Sequence, residues 1–170
     1  MIEQARKAAK RLKSALGTKV LEVFEDGRGV VVRVEPDYIL SALAALKTDK
    51  LTPFDMLVSE ICVDWLTWNE ETGLPQPAAR FSIYYNLFSV PTGTRLFLEI
   101  FVAEGQAVAS AVPYYASANW AEREIYDMFG IKFSGHPQLL RIYLPEEFEG
   151  YPLRKGFPLH GFGPQDFPQE

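Results

Sequence analysis

The residues of this chain whose types and spacing could do chemistry gather in one stretch, Asn119 to Pro158, reading NWAEREIYDMFGIKFSGHPQLLRIYLPEEFEGYPLRKGFP. Glu122, Glu124, Asp127 and His136 could act as acid, base and proton shuttle, since tuned carboxylates and imidazoles exchange protons near neutral pH. The same charges have simpler uses. Asn119 is a good helix N-cap, and Glu122 three residues on would complete a capping box that satisfies two unpaired backbone N–H groups. Arg123 and Asp127 stand four apart, the spacing of an ion pair on one helix. Only Glu124 is then left over, so a free-standing acid/base enzyme is the weaker reading. His136 lies between Gly135 and Pro137, a turn setting in which an imidazole commonly bonds backbone.

His160 is the other histidine and Cys62 the single cysteine. That excludes an internal disulfide and a CxxC pair, and two histidines make a poor metal site. Iron–sulfur clusters need about four ligands, nearly always thiolates, so any cluster belongs to a neighbouring chain. GxGxxG, phosphate-loop and GxSxG motifs are all missing, and with them the signal for dinucleotide, nucleotide or serine-hydrolase chemistry. Cys62 within ICVDW reads as a small buried apolar group, and Trp65, Trp68 and Trp120 read as packing residues rather than a redox path. Arg141, Arg154 and Lys155 stand among Phe148, Tyr151, Phe157 and Phe162 in a proline-fixed run. Arginine and aromatics anchor interfaces, so these three mark a docking surface.

These groups need elements to position them. Ala121, Ile125, Met128 and Phe129 share one face of a short helix that starts at Asn119 and stops at Gly130, with Glu122, Arg123, Tyr126 and Asp127 mostly on the other. Upstream, Ile2, Ala5, Ala9, Leu12 and Leu16 form the stripe of a helix over residues 2–16, ended by Gly17. VLEVF and VVRV flank an Asp-Gly turn and read as a hairpin. Pro36 opens a second helix over 37–47 with Ile39, Leu43 and Leu46 on one face. Three strands follow: MLVSEICVDW from Met56, then RFSIYYNLFSV and RLFLEIFV as an antiparallel pair turning at Pro91 to Thr94. Phe81, Ile83, Tyr85 and Leu87 share one face of the second; Leu96, Leu98, Ile100 and Val102 share one face of the third. The polar run NEETGLPQPAA between the first two is a surface excursion. The order α-β-β-α-β-β-β-α predicts an α+β two-layer domain with helices on one face of a mixed sheet.

Residues 1–133 read as this core domain, and 134–170 as an extended proline-rich arm docking on partners. Six of the twelve prolines lie between Pro137 and Pro168. So long a run without regular structure is uncommon in a compact domain unless it is disordered or functional, and its Leu139, Leu140, Ile142, Tyr143 and Leu144 carry too much apolar surface for disorder.

The runs EREIYDMFGI, GHP with a following arginine, and EGYPLRK with FPL resemble the signature of the 30 kDa (C-type) subunit of respiratory NADH:quinone oxidoreductase, complex I. The likeness extends upstream through ICVDW, RFSIYYNLFSV and RLFLEIFV, covering roughly Leu57 to Phe162. Leu140 stands where the family usually has the first of two arginines, and Gly156 where it usually has aspartate. The family-signature and interface residues are Trp120, Glu122, Arg123, Glu124, Tyr126, Asp127, Gly130, Gly135, His136, Pro137, Arg141, Gly150, Pro152, Leu153, Arg154, Lys155, Phe157 and Pro158.

The resemblance implies the same fold and a non-catalytic subunit of the peripheral arm, holding together the quinone-reducing module. The assembly passes electrons from NADH through FMN and iron–sulfur clusters to quinone and pumps protons. This chain would carry no cofactor. Its implied partners are the 49 kDa-type subunit, the terminal-cluster subunit and the ferredoxin-like two-cluster subunit. Related subunits also occur in ferredoxin-linked quinone reductases and membrane-bound hydrogenases, so the electron donor is set by the neighbours.

Composition agrees with a protein-docking role. The net charge is −5, and after residue 20 there are eleven basic against twenty-one acidic groups, which argues against nucleic acid. No apolar run approaches the ~18 to 20 residues of a membrane span, so membrane contact is expected only through the assembled complex. Lys7, Lys10, Arg11 and Lys13 interrupt what a secretory signal would need as its apolar core. The expected place is the cytoplasmic side of the cell membrane, or the organellar inner membrane in a eukaryote. The basic first twenty residues read as a domain helix rather than a presequence.

Overall fold

The computed structural model describes residues 2–158 apart from Gln76; His160, Phe162 and Pro168 lie outside the described residues. Helix α1, Ile2–Leu16, buries Ala5, Ala8, Ala9 and Leu12, and Gly17, at φ 58°, follows its end. Ile2, expected in the stripe, is exposed. Strands β1 (Val20–Asp26) and β2 (Gly29–Val34) make the expected hairpin, with the Arg28 amide donating to Asp26 Oδ1 at 2.8 Å in the turn. A 3-10 turn from Pro36 to Tyr38 feeds helix α2, Ile39–Lys47, which buries Ile39, Leu43 and Leu46 as expected.

Strand β3 (Met56–Asp64) is followed by the polar excursion, which contains one short helix, α3 (Trp68–Thr72). Strands β4 (Phe81–Ser89) and β5 (Thr94–Val102) come next and pair antiparallel from Phe81↔Val102 to Ser89↔Thr94. The sheet order is β1-β2-β5-β4-β3, with β2 and β5 parallel and the other neighbours antiparallel, so the sheet is mixed. Phe81, Ile83, Tyr85 and Leu87 of β4 and Leu96, Leu98, Ile100 and Val102 of β5 join side chains of α1 and α2 in one buried cluster. Each large apolar side chain so buried contributes about 1.5 to 3 kcal/mol. The opposite face carries a smaller cluster, Val31, Tyr84 and Phe97, and the buried Glu99, which accepts from Arg33 Nε at 2.8 Å.

The chain then departs from expectation. Strand β6 (Val108–Ala109) pairs in parallel with β7 (Phe133–Ser134), two residues each and too short for any periodicity to announce. Between them runs helix α4, Ala118–Phe129, which adds Ala118, Ile125 and Phe129 to the buried cluster. Asn119 is inside this helix and not its cap: Ser117 precedes it, and no side chain caps the N-terminus. Ser117 Oγ donates instead to the Leu57 carbonyl at 2.9 Å, fixing the helix start on β3.

Candidate functional site

Helix α4 carries two carboxylates on its buried surface, Glu122 and Asp127, both without solvent exposure. The sequence placed both on the polar face and gave Glu122 to a capping box and Asp127 to Arg123. Neither pairing forms. Glu122 Oε1 accepts the Ala111 amide at 2.6 Å and Oε2 the Ser110 hydroxyl at 2.7 Å. The segment before α4 therefore supplies the donors that the helix N-terminus was expected to supply. Arg123 leaves Asp127 and stacks over the Trp120 ring, 4.8 Å from its centroid, while donating to the carbonyls of Leu140 and Arg141 at 3.0 and 3.2 Å.

Asp127 organises the segment that follows. Its Oδ2 accepts three successive backbone amides, from Ile142, Tyr143 and Leu144, at 3.0, 2.8 and 3.1 Å. Its Oδ1 accepts Arg141 Nη1 at 2.7 Å. Burial works against the charge, but the amides and the guanidinium outweigh it and hold the carboxyl below its ordinary value of 3.8. Arg141 also donates to the carbonyls of Phe148 and Gly150. One buried ion pair thus closes a loop whose own backbone forms no ladder.

Further pins follow in chain order. His136 Nδ1 accepts the Gln138 amide at 3.0 Å, and its Nε2 lies 3.1 Å from the Asn119 carbonyl, the backbone role expected for it. Gly130 ends α4 at φ 74°, and a Cβ there would meet the Tyr151 ring at 2.5 Å, so only glycine admits the ring. The Leu153 amide donates to the Met128 carbonyl at 3.2 Å and Arg154 Nε to the Phe129 carbonyl at 2.7 Å. Arg154 also pairs with Glu104, and Lys155 Nζ with Glu71. The Lys155 amide reaches Asp64, which already accepts Arg80 Nη2 at 2.9 Å. Arg141, Arg154 and Lys155 are therefore all bonded within their own chain.

Glu124 is exposed, Tyr126 half-buried, and Gly135, Pro137, Gly150 and Pro158 lie at the surface; Pro152 and Phe157 are half-buried. The charged groups turn inward while apolar ones turn outward: Trp120 is 64%, Tyr143 66%, Leu153 53% and Leu140 43% exposed.

Sequence reasoning passed over two groups that matter here, Glu60 and Asp64, and gave Tyr85 a place on an apolar face without a role for its hydroxyl. A bulge between Leu57 and Ser59 reverses the alternation of β3, so Leu57, Glu60, Cys62 and Asp64 stand opposite the inward-facing Leu87, Tyr85, Ile83 and Phe81. An acidic residue two before a cysteine that faces the core was the available signal. Burial, with Asp64 near by, pushes the Cys62 thiol well up, which keeps it an inert packing group as expected. Among the described residues no group of three His, Cys, Asp or Glu is arranged to hold a metal, and no helix is long and apolar enough to cross a membrane.

Comparison with known proteins shows the family. Residues 32–163 match the family described as the respiratory-chain NADH dehydrogenase 30 kDa subunit. The chain is 40% identical over 162 residues to the C-type subunit of NADH-quinone oxidoreductase from Trichlorobacter lovleyi, covering 95% of this chain and 94% of that one. It is 40% identical over 141 residues to the corresponding subunit from Dinoroseobacter shibae, covering 83% of this chain and 60% of that one. Among solved structures, a trypsin-resistant fragment of Nqo5 matches with a TM-score of 0.60 at 28% identity, covering 76% of this chain and 97% of the fragment. A chain of the archaeal membrane-bound sulfane sulfur reductase shares the fold, with a TM-score of 0.69 at 20% identity over 92% of this chain and 86% of that one. This chain belongs to the 30 kDa subunit family of respiratory complex I, the C-type subunits of NADH-quinone oxidoreductase.

Proposed function

We propose that this chain is a non-catalytic scaffold of the peripheral arm, and that the surface of α4 and residues 134–158 is where it grips its neighbours at the quinone-reducing end. One observation carries the reading: the signature stretch bonds its charges internally and turns Trp120, Leu140, Tyr143 and Leu153 outward. A set of exposed large apolar groups beside an arginine stacked on tryptophan is the chemistry of an interface centre. Those groups need a partner to bury them.

The division into a body, 1–133, and an arm, 134–170, belongs to the same proposal. Residues 135–158 are held to the body by side chains and amides but contribute only Leu139 to the edge of its buried cluster. In a relative, a trypsin-resistant fragment corresponding to 76% of this chain stands as a unit, which supports a body smaller than the whole. Prolines preset the arm and reduce the entropy lost on docking. The partners proposed are the 49 kDa-type, terminal-cluster and ferredoxin-like subunits, which would hold the iron–sulfur clusters, with FMN further along the assembly; this chain would hold none. Its place is the cytoplasmic side of the membrane, reached through the complex.

The test is affinity purification of the tagged full chain from cells that assemble the complex. The wild type should carry the three partner subunits. Replacing Trp120 and Tyr143 by alanine should leave the melting temperature unchanged and remove those partners. Retention of all three by the double variant would refute the assignment of this surface.

A further inference from the structure

Beneath α4 lies a second polar group that the interface does not use. Glu60 of β3 is buried, and both of its carboxylate oxygens lack a hydrogen-bond partner among the described residues. So does the hydroxyl of Tyr85, its direct neighbour across the β3–β4 pairing. From α4, which packs on β3, the charge of Glu122 acts on Glu60. Buried polar atoms are rarely left unpaired, and an ionised carboxylate without a partner would be strongly disfavoured.

Among the described residues no lysine or arginine is paired with Glu60 or Glu122. On β3 itself Cys62 is neutral, and Asp64 is bonded to Arg80. Arg154, whose charge reaches Cys62, is bonded to the Phe129 carbonyl and Glu104. From the segment before α4 come only the Ser110 hydroxyl and the Ala111 amide, both on Glu122. His136 Nε2 stands 4.0 Å from Glu122 Oε2. Its Nδ1 accepts the Gln138 amide, so its proton sits on Nε2 and points to the Asn119 carbonyl. A second proton on Nδ1 would set two donors against each other.

We propose that Glu60 and Glu122 form a proton-holding carboxylate pair that seats α4 on β3, with Glu60 the member protonated at neutral pH. The hydrogen bonds decide which member keeps the proton. Glu122 accepts two donors, which favour its ionised form, while Glu60 accepts none. Burial nevertheless pushes Glu122 up to about 7, and pushes Glu60 well above its ordinary value, with the Glu122 charge adding to it. When the pair ionises, an O–H bond of the carboxylic acid breaks and the proton passes to solvent.

The consequence is a seam that loosens as pH rises. Both carboxyls bind protons more tightly in the folded chain than in the unfolded one, where the ordinary value is 4.5. The pair's contribution to stability is therefore undiminished below about pH 4.5 and falls as pH rises, by about tenfold in the folding constant per pH unit for each proton retained. Above about 7 Glu122 ionises in the folded chain as well, and only the Glu60 contribution to the slope continues.

Infrared spectroscopy of the full chain in water and in heavy water tests this. At pH 7 and pH 8 the wild type should show the carbonyl stretch of a protonated carboxylic acid, shifted by deuterium. At pH 8 that band should all but vanish in Glu60→Gln and persist in Glu122→Gln, whereas at pH 7 Glu60→Gln should keep the part that Glu122 carries. A carbon-labelled glutamate titration should find one side chain still protonated at pH 8 and one with its midpoint about 7. The pH slope of stability should be shallower in Glu60→Gln than in the wild type. Absence of the band from the wild type overturns the proposal without recourse to any variant, as does an unchanged slope in Glu60→Gln.

Discussion

The sheet under α1 and α2 and the seam around α4 are built on opposite terms. Under α1 and α2 the contacts are alanine, leucine, isoleucine and valine, and the backbone bonds itself in ladders. Around α4 the apolar Ala118, Ile125 and Phe129 are joined by Glu60, Asp64, Glu122 and Asp127, and the carboxylates of the last three take up backbone amides that have no ladder to join. Apolar burial is non-directional and tolerates repacking. A buried carboxylate receiving amides and a guanidinium is directional, and each such group fixes one segment in one place. The stretch from Asn119 to Pro158 falls on the second kind of region.

Removing the hub should break the contrast most severely. Asp127→Ala leaves Arg141 and three amides without their acceptor, and breaking a buried pair in this way costs about 3 to 5 kcal/mol; the denaturant midpoint measures it. Gly130→Ala comes next. It places a Cβ against the Tyr151 ring at a left-handed φ and should cost about 1 to 3 kcal/mol, with a free tail rather than a damaged sheet as its structural outcome. Arg123→Ala should cost less than that in stability, since its bonds are to two carbonyls at the margin. Its main effect should be on recovery of partner subunits, because Trp120 loses the guanidinium stacked on it. Glu124→Ala, at an exposed position, should stay within about 0.5 kcal/mol and serves as the control.

Acidity sharpens the same comparison, because the two sides of α4 should respond in opposite directions. Asp127 is held below its ordinary value of 3.8, so its contribution is complete above that pH and is lost as pH falls through the lowered value. Glu122 is raised to about 7, so its side is strongest in acid and weakens as pH rises from 4.5 toward 7. Native exchange at pH 4 and pH 8 should protect the β3 side better at the lower pH and residues 142–144 no less at the higher.

How far the fold could be read in the sequence follows the same division. The stripe of α1, the hairpin and the alternation of β4 and β5 were legible because a periodic apolar pattern reports directly on a buried face. The mixed character of the sheet was legible from element order. What escaped has physical causes. The bulge at Leu57/Ser59 reverses the parity of β3 and hides Glu60 and Asp64 on the inward face. Arg123 and Asp127 satisfy a local rule for pairing, yet Arg141, fourteen residues on, supplies the stronger partner because it closes a buried loop. Likewise Glu122 could have capped its own helix, but the amide and hydroxyl of a preceding segment reach it first. Local rules identify the charged residues of the site and cannot choose among long-range donors.

The central claim is that Asp127 fastens residues 141–144 to α4 and so fixes the outward face of the segment. Residue-resolved hydrogen exchange on the full chain tests it most directly. The amides of Ile142, Tyr143 and Leu144 should be protected in the wild type and exchange at unprotected rates in Asp127→Ala, while amides in β4 and β5 stay protected in both. Unprotected exchange of these three amides in the wild type, or equal protection in the variant, would contradict it.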